Sequence, residues 1–172
     1  IEKHMPPASQ SERYLAVEDA IKSVERRNII VMRLNSAGDM FLGNTYVKGS
    51  LHNDDLYAKE LARLKELISN PDENAECPEI EMMDIQMPDG STRQFRVSKG
   101  MITFQNDRAT SYEDYTKAMK LITTAYNELR EELSSEVFGK PLAELSYAEM
   151  QVVYQAVPMN VSEAEPRDAP AR

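Results

Sequence analysis

One run, Met101 to Leu133, constrains the fold more than any other, because it carries an apolar strand through a polar corner into a long amphipathic helix. Met101, Ile102, Thr103 and Phe104 read as a short buried strand between Lys99-Gly100 and the polar cluster Gln105, Asn106, Asp107, Arg108. Thr110 and Glu113 stand in the S/T-x-x-E spacing of a capping box, so a helix is expected to begin near Ser111. Tyr115, Met119, Ile122, Tyr126, Leu129 and Leu133 then recur in steps of four and three, which places them on one face. Gly139 followed by Pro141 is a stop signal, and the helix is expected to end around Val137. A stripe of this length needs a sheet or another helix to cover it.

The rest of the chain supplies both. Ser9 and Glu12 form a second capping-box pattern ahead of Tyr14, Val17, Ile21 and Val24, an N-terminal helix or stalk. Asn28 to Leu34, the turn Asn35-Ser36-Ala37-Gly38 and Met40 to Leu42 read as a hairpin. Asn53 can cap a helix whose stripe is Tyr57, Leu61, Leu64 and Ile68, stopping before Pro71. Ile80 to Met87 meets Thr92 to Val97 across Pro88-Asp89-Gly90 as a second hairpin. Ser146 and Glu149 repeat the capping box before a short helix closed by Pro158, and Met159 to Ser162 reads as a last strand. The expected class is α+β: a small mixed sheet with two main helices packed on one face, plus N-terminal and C-terminal helical extensions. The expected divisions are 1–27 as tag remnant and linker, 28–137 as the folded domain, 138–163 as C-terminal helix and strand, and 164–172 as a disordered tail.

Composition removes several function classes. A net charge of −9 makes a phosphate backbone a poor partner, so nucleic acid is not expected. Cys77 is the single cysteine, which rules out an intrachain disulfide. No apolar run approaches the roughly 18 to 20 residues of a membrane helix. His4 and His52 fall in no ligand or triad spacing, a His52–Cys77 dyad has no local support, and the six glycines form neither a Walker loop nor a GxGxxG turn. Asn70, Asp72, Asn74 and Glu81 occupy calcium-loop positions, but Ala75 stands where the sharp turn needs Gly and Pro78 interrupts, so a solvated acidic loop is the reading. No enzyme, metal or cofactor is expected.

In whole phrases the chain resembles the ExbD/TolR biopolymer-transport family, in the form found in Bacteroidetes. The phrases are QNDRATSYEDY, TAYNELREEL, FGKPLAELSYAEMQ and VPMNVSEAEP, with weaker similarity through Asn28 to Asn44 and Met5-Pro6-Pro7. The resemblance implies the periplasmic domain of an inner-membrane, single-pass subunit in a TonB-ExbB-ExbD type motor that spends proton-motive force on outer-membrane transport. It implies an N-terminal membrane helix carrying the proton-handling Asp ahead of Met5, with Ile1 to His4 read as tag. It further implies a homodimer, an ExbB-like channel and a TonB-like protein as partners, and, in the TolR role, an envelope anchor contacting peptidoglycan. The Asn28 to Leu42 hairpin offers an edge for dimer pairing.

The candidates for partner contact are Gln105, Asn106, Asp107, Arg108 and Tyr112, presented beside a helix N-terminus. The competing reading is structural: Asp107 and Arg108 pair with neighbours to fix the corner while Tyr112 and Tyr115 pack into the core.

Overall fold

The computed structural model describes residues 24–168. After a turn of 3-10 helix at Arg26–Asn28, the strands β1 (Ile29–Leu34), β2 (Met40–Leu42) and β3 (Thr45–Val47) run as an antiparallel meander. Helix α1 (Asp54–Ser69) leads to a hairpin of β4 (Ile80–Gln86) and β5 (Thr92–Ser98), and then to β6 (Met101–Asn106). The long α2 (Tyr112–Phe138), the short α3 (Tyr147–Ala156) and β7 (Val161–Glu163) complete the chain. Five strands form one mixed sheet in the order β3-β2-β1-β6-β7, with β6 parallel to both β1 and β7.

Alternation decides which sheet face is covered. Ile30, Met32 and Leu34 of β1, Met40 and Leu42 of β2, and Ile102 and Phe104 of β6 are buried together with Leu64 and Ile68 of α1 and Ala118, Leu121, Ile122, Ala125 and Tyr126 of α2. Both main helices therefore lie on one face. Tyr115, Met119 and Leu129 pack at the margin of this core. Leu133, the last residue of the expected stripe, has drifted into a second cluster made by Ile85, Phe95 and Val97 of the hairpin with Val152 and Ala156 of α3.

That second cluster corrects the expected architecture. The β4–β5 hairpin is a separate two-stranded sheet, and its apolar face is buried by α3 and the end of α2. Nor is the C-terminal helix an extension: Val152, Val153 and Ala156 are buried, and the capping box of Ser146 and Glu149 forms as expected. The N-terminal helix expected over Tyr14 to Val24 lies outside the described residues, apart from Val24.

Local chemistry holds the joints. Asn53 caps α1 through Leu56 N–H, and Gly139 ends α2 in the left-handed region at φ 67°. Gly38 is constrained twice, by φ +82° and by the His52 ring, which a Cβ there would approach to 2.6 Å. Beside it Asp39, 7% exposed, accepts from Tyr46 Oη at 2.7 Å, Gly49 N at 2.7 Å and Asn35 Nδ2 at 3.0 Å. The Tyr46 hydroxyl foremost, with Asn35 and Gly49 adding, holds the Asp39 pKa below the usual carboxylate range against the effect of burial. A lowered folded pKa means stability that is present above the unfolded value of about 3.9 and lost as pH falls through the folded one. Urea midpoints should therefore drop more steeply below about pH 4 in the wild type than in Asp39→Asn; parallel acid profiles would count against this role.

Candidate functional site

The polar corner begins inside β6. Gln105 and Asn106, expected just after the strand, continue it, because Arg33 and Leu34 of β1 pair with them on one side. On the other side Arg167 N–H donates to Asn106 O at 3.0 Å. The chain then turns: Asp107 N–H donates to Leu34 O at 3.0 Å, and Thr110 N–H donates to Asp107 O at 3.0 Å. Here the expected cap is wrong by one residue. Ser111, extended at φ −68° and ψ 153°, accepts from Asp114 N–H and caps α2, while the Thr110 hydroxyl is buried with no partner among the described residues. Thr110 closes the preceding turn through its own N–H, and the cap falls to the next residue.

The tail, expected to be disordered from residue 164, is fastened to this corner through Asp168. Ala164 N–H donates to Phe104 O at 2.8 Å and Arg108 N–H to Arg167 O at 2.8 Å, extending the parallel pairing beyond β7. Gln105 Nε2 donates to Glu165 O at 2.8 Å. Arg108 reaches Glu165 at 3.6 Å and Asp168 at 3.1 Å, and Arg167 lies 3.7 Å from Asp107. Tyr115 Oη donates to Glu163, which ties the first turn of α2 to β7. A sheet edge that β6 would otherwise expose is thus covered by the chain's own C-terminal segment. Residues 169–172 lie outside the described residues.

The five candidates accordingly separate. Gln105, Asn106 and Asp107 are spent on the fold: Asn106 Nδ2 donates to the Asp107 carbonyl, and Asp107 is 7% exposed. Arg108 and Tyr112 face solvent. Tyr112 is 82% exposed, with its ring stacked on Tyr115 at 6.3 Å, which corrects the expectation that it packs into the core. One helical turn of α2 explains the difference, since Tyr115 points at Phe104 with ring centroids 5.8 Å apart and Tyr112 projects ahead of the helix. The Arg108 side chain is 56% exposed, so its ion pairs are worth little. Arg108→Ala is expected to cost less than about 1 kcal/mol, with the loss shrinking further in high salt. A larger drop in urea stability would show that the tail depends on Arg108.

Nearby lies a pair invisible in the sequence: His52 Nε2 sits 2.9 Å from Asp114 Oδ1, joining residues 62 positions apart at the N-terminus of α2. His52 hydrogen-bonds this carboxylate and so ties the segment ahead of α1 to the first turn of α2. At Cys77 it is the backbone carbonyl that is engaged, by Arg27 Nε at 2.9 Å. No group of three or more His, Cys, Asp or Glu among the described residues could hold a metal ion. No described helix is long and apolar enough to cross a membrane. No family model matches the chain, and no curated protein matches it.

Proposed function

We propose that this chain is the periplasmic domain of an ExbD-like subunit in a proton-motive-force-driven inner-membrane motor of the TonB-ExbB-ExbD type. The parent protein is then a single-pass inner-membrane protein, and the domain is a homodimeric, non-enzymatic force-transmitting part. The observation that carries the reading is the ordered set of family-like phrases, two of which form one physical unit. QNDRATSYEDY supplies the corner and VPMNVSEAEP supplies the strand and tail that fasten to it, through Gln105 Nε2 to Glu165 O and Tyr115 to Glu163. In this reading Arg108 and Tyr112 are the partner-facing residues, while Gln105, Asn106 and Asp107 hold the surface in shape.

The test is copurification of the full-length protein with an ExbB-like channel and a TonB-like protein from the same genome, against retention on cell-wall sacculi. Recovery with the TonB-like protein, weakened by Tyr112→Ala at unchanged stability, supports the motor subunit. Retention on sacculi alone replaces it with the TolR-like anchoring role, and recovery with neither overturns both.

A further inference from the structure

The five-stranded sheet has a second face. Helices α1 and α2 cover the first, and α3 lies against the β4–β5 hairpin, so among the described residues no helix packs on the other. The strand register places Ile29, Val31 and Arg33 of β1, Thr103 of β6 and Phe41 of β2 there. Ile29, Val31, Arg33 and Thr103 line a groove of about 370 Å³ on this face, and Arg26 lines it too.

Topology and sequence both call for a cover. β1, β6 and β7 run parallel, and parallel strands occur almost only where both faces of a sheet are buried and the strands read as near-continuous apolar runs. β1 begins Ile29-Ile30-Val31-Met32 and β6 begins Met101-Ile102-Thr103-Phe104, so neither shows the polar alternation of a sheet turned to water.

The occupant is set by where the chain enters. Val24 is half-buried, and the 3-10 turn Arg26–Asn28 leads straight into Ile29 of the groove. Upstream, Tyr14, Val17, Ile21 and Val24 share one face at helical spacing. From Tyr14 to Val24 that face is roughly 15 Å long at the helical rise, against roughly 13 Å from Ile29 to Arg33 at the strand rise. Charge agrees with this fit. Arg26 and Arg33 are exposed and make no ion pair among the described residues. Glu18 stands four residues after Tyr14 and three before Ile21, at the border of the stripe. A second copy docked symmetrically would instead set this arginine-bearing patch against itself.

We infer that residues 14–24 form a helix that packs Tyr14, Val17 and Ile21 on the second sheet face, antiparallel to β1, with Glu18 toward Arg33. The sheet is then covered on both sides, and the direction in which the preceding chain leaves the domain is fixed. This holds whether or not the chain serves a motor.

The experiment uses the whole chain, isotope-labelled, in a Cys77→Ser background with a nitroxide on Asp19→Cys, on the side of the helix away from the stripe. Broadening of amide signals should be strongest at Val31 and Thr103 and weak at Ala125 of α2, across the sheet. Without the nitroxide, backbone hydrogen exchange over residues 14–24 should be at least about tenfold slower than in Val17→Asp/Ile21→Asp. That double variant should also shift the methyl signals of Ile29 and Val31. Leu15→Asp, the same kind of change off the stripe, should alter exchange less than about twofold and leave those methyl signals in place. Broadening that arises only between copies, in a mixture of nitroxide-bearing and isotope-labelled chains, would assign the face to a second copy. Exchange as fast in the wild type as in the double variant, or an equal response to Leu15→Asp, would leave the face uncovered by this segment. Each of these results overturns the inference.

Discussion

Phe104→Ala is expected to lower the unfolding free energy by about 4 kcal/mol, the middle of the range for removing a fully buried Phe. Phe104 is 1% exposed in β6, paired in register with Met32 of β1 and Glu163 of β7, and its ring meets Tyr115 of α2. Its deletion therefore opens a cavity where the sheet, the long helix and the C-terminal strand converge. The same change should loosen the tail, because Ala164 N–H donates to the Phe104 carbonyl and Tyr115 holds Glu163. Phe104→Leu, which restores most of the volume, should cost no more than about 1.5 kcal/mol. Tyr112→Ala provides the contrast: an aromatic from the same corner, 82% exposed, whose loss should fall within about 0.5 kcal/mol. The chain has no Trp, so urea unfolding followed by circular dichroism at the helix band is the suitable readout. A loss below about 2 kcal/mol for Phe104→Ala would mean that this junction is not close-packed.

The contrast between Phe104 and Tyr112 marks what periodicity can and cannot tell. Buried positions on β1 and on the helices were legible because a single face of each carries the aliphatic residues, and alternation or a 3.6 period survives in any tertiary setting. Caps with two reciprocal partners, as at Ser146 and Glu149, were legible for the same local reason. The Thr110 cap failed because the strand continued through Gln105 and Asn106, and that continuation depends on Arg33, Leu34 and Arg167, which are remote in sequence. The separate hairpin sheet failed similarly: nothing inside Ile80 to Ser98 says whether its apolar face will meet a sheet edge or α3. At the candidate site the residues were found but their roles were not, since the partner of Asp107 lies 60 residues downstream at Arg167. The His52–Asp114 contact carried no signal at all, because a loop histidine and an N-terminal acid are each ordinary alone.

Asn70→Ala is expected to cost about 3 kcal/mol, and the reason separates a structural asparagine from a cation ligand. Asn70 is 2% exposed and stands at φ 41°, ψ 61°, just past the last turn of α1. Its Nδ2 donates to Pro78 O at 2.8 Å and Asn74 O at 3.1 Å, and its Oδ1 accepts from Asn74 N–H at 2.8 Å. Alanine loses all three bonds, leaves the Pro78 carbonyl buried without them, and adds about 1 kcal/mol for a left-handed backbone that Asn tolerates better. Asn70→Gly removes the same bonds without the backbone cost, so it should be milder than Ala by about 1 kcal/mol. Asn70→Asp is the decisive variant. The carboxylate can still accept from Asn74 N–H, but it faces two carbonyl oxygens with no proton to offer, so at neutral pH it should destabilise at least as much as alanine. A calcium loop would respond in the opposite direction, because an Asp at its first position is a preferred ligand. Thermal unfolding of Asn70→Asp with and without millimolar calcium decides between them: no upward shift is expected, since the side chain at this position serves as a donor to the loop it closes, and a clear stabilisation would restore the ligand reading.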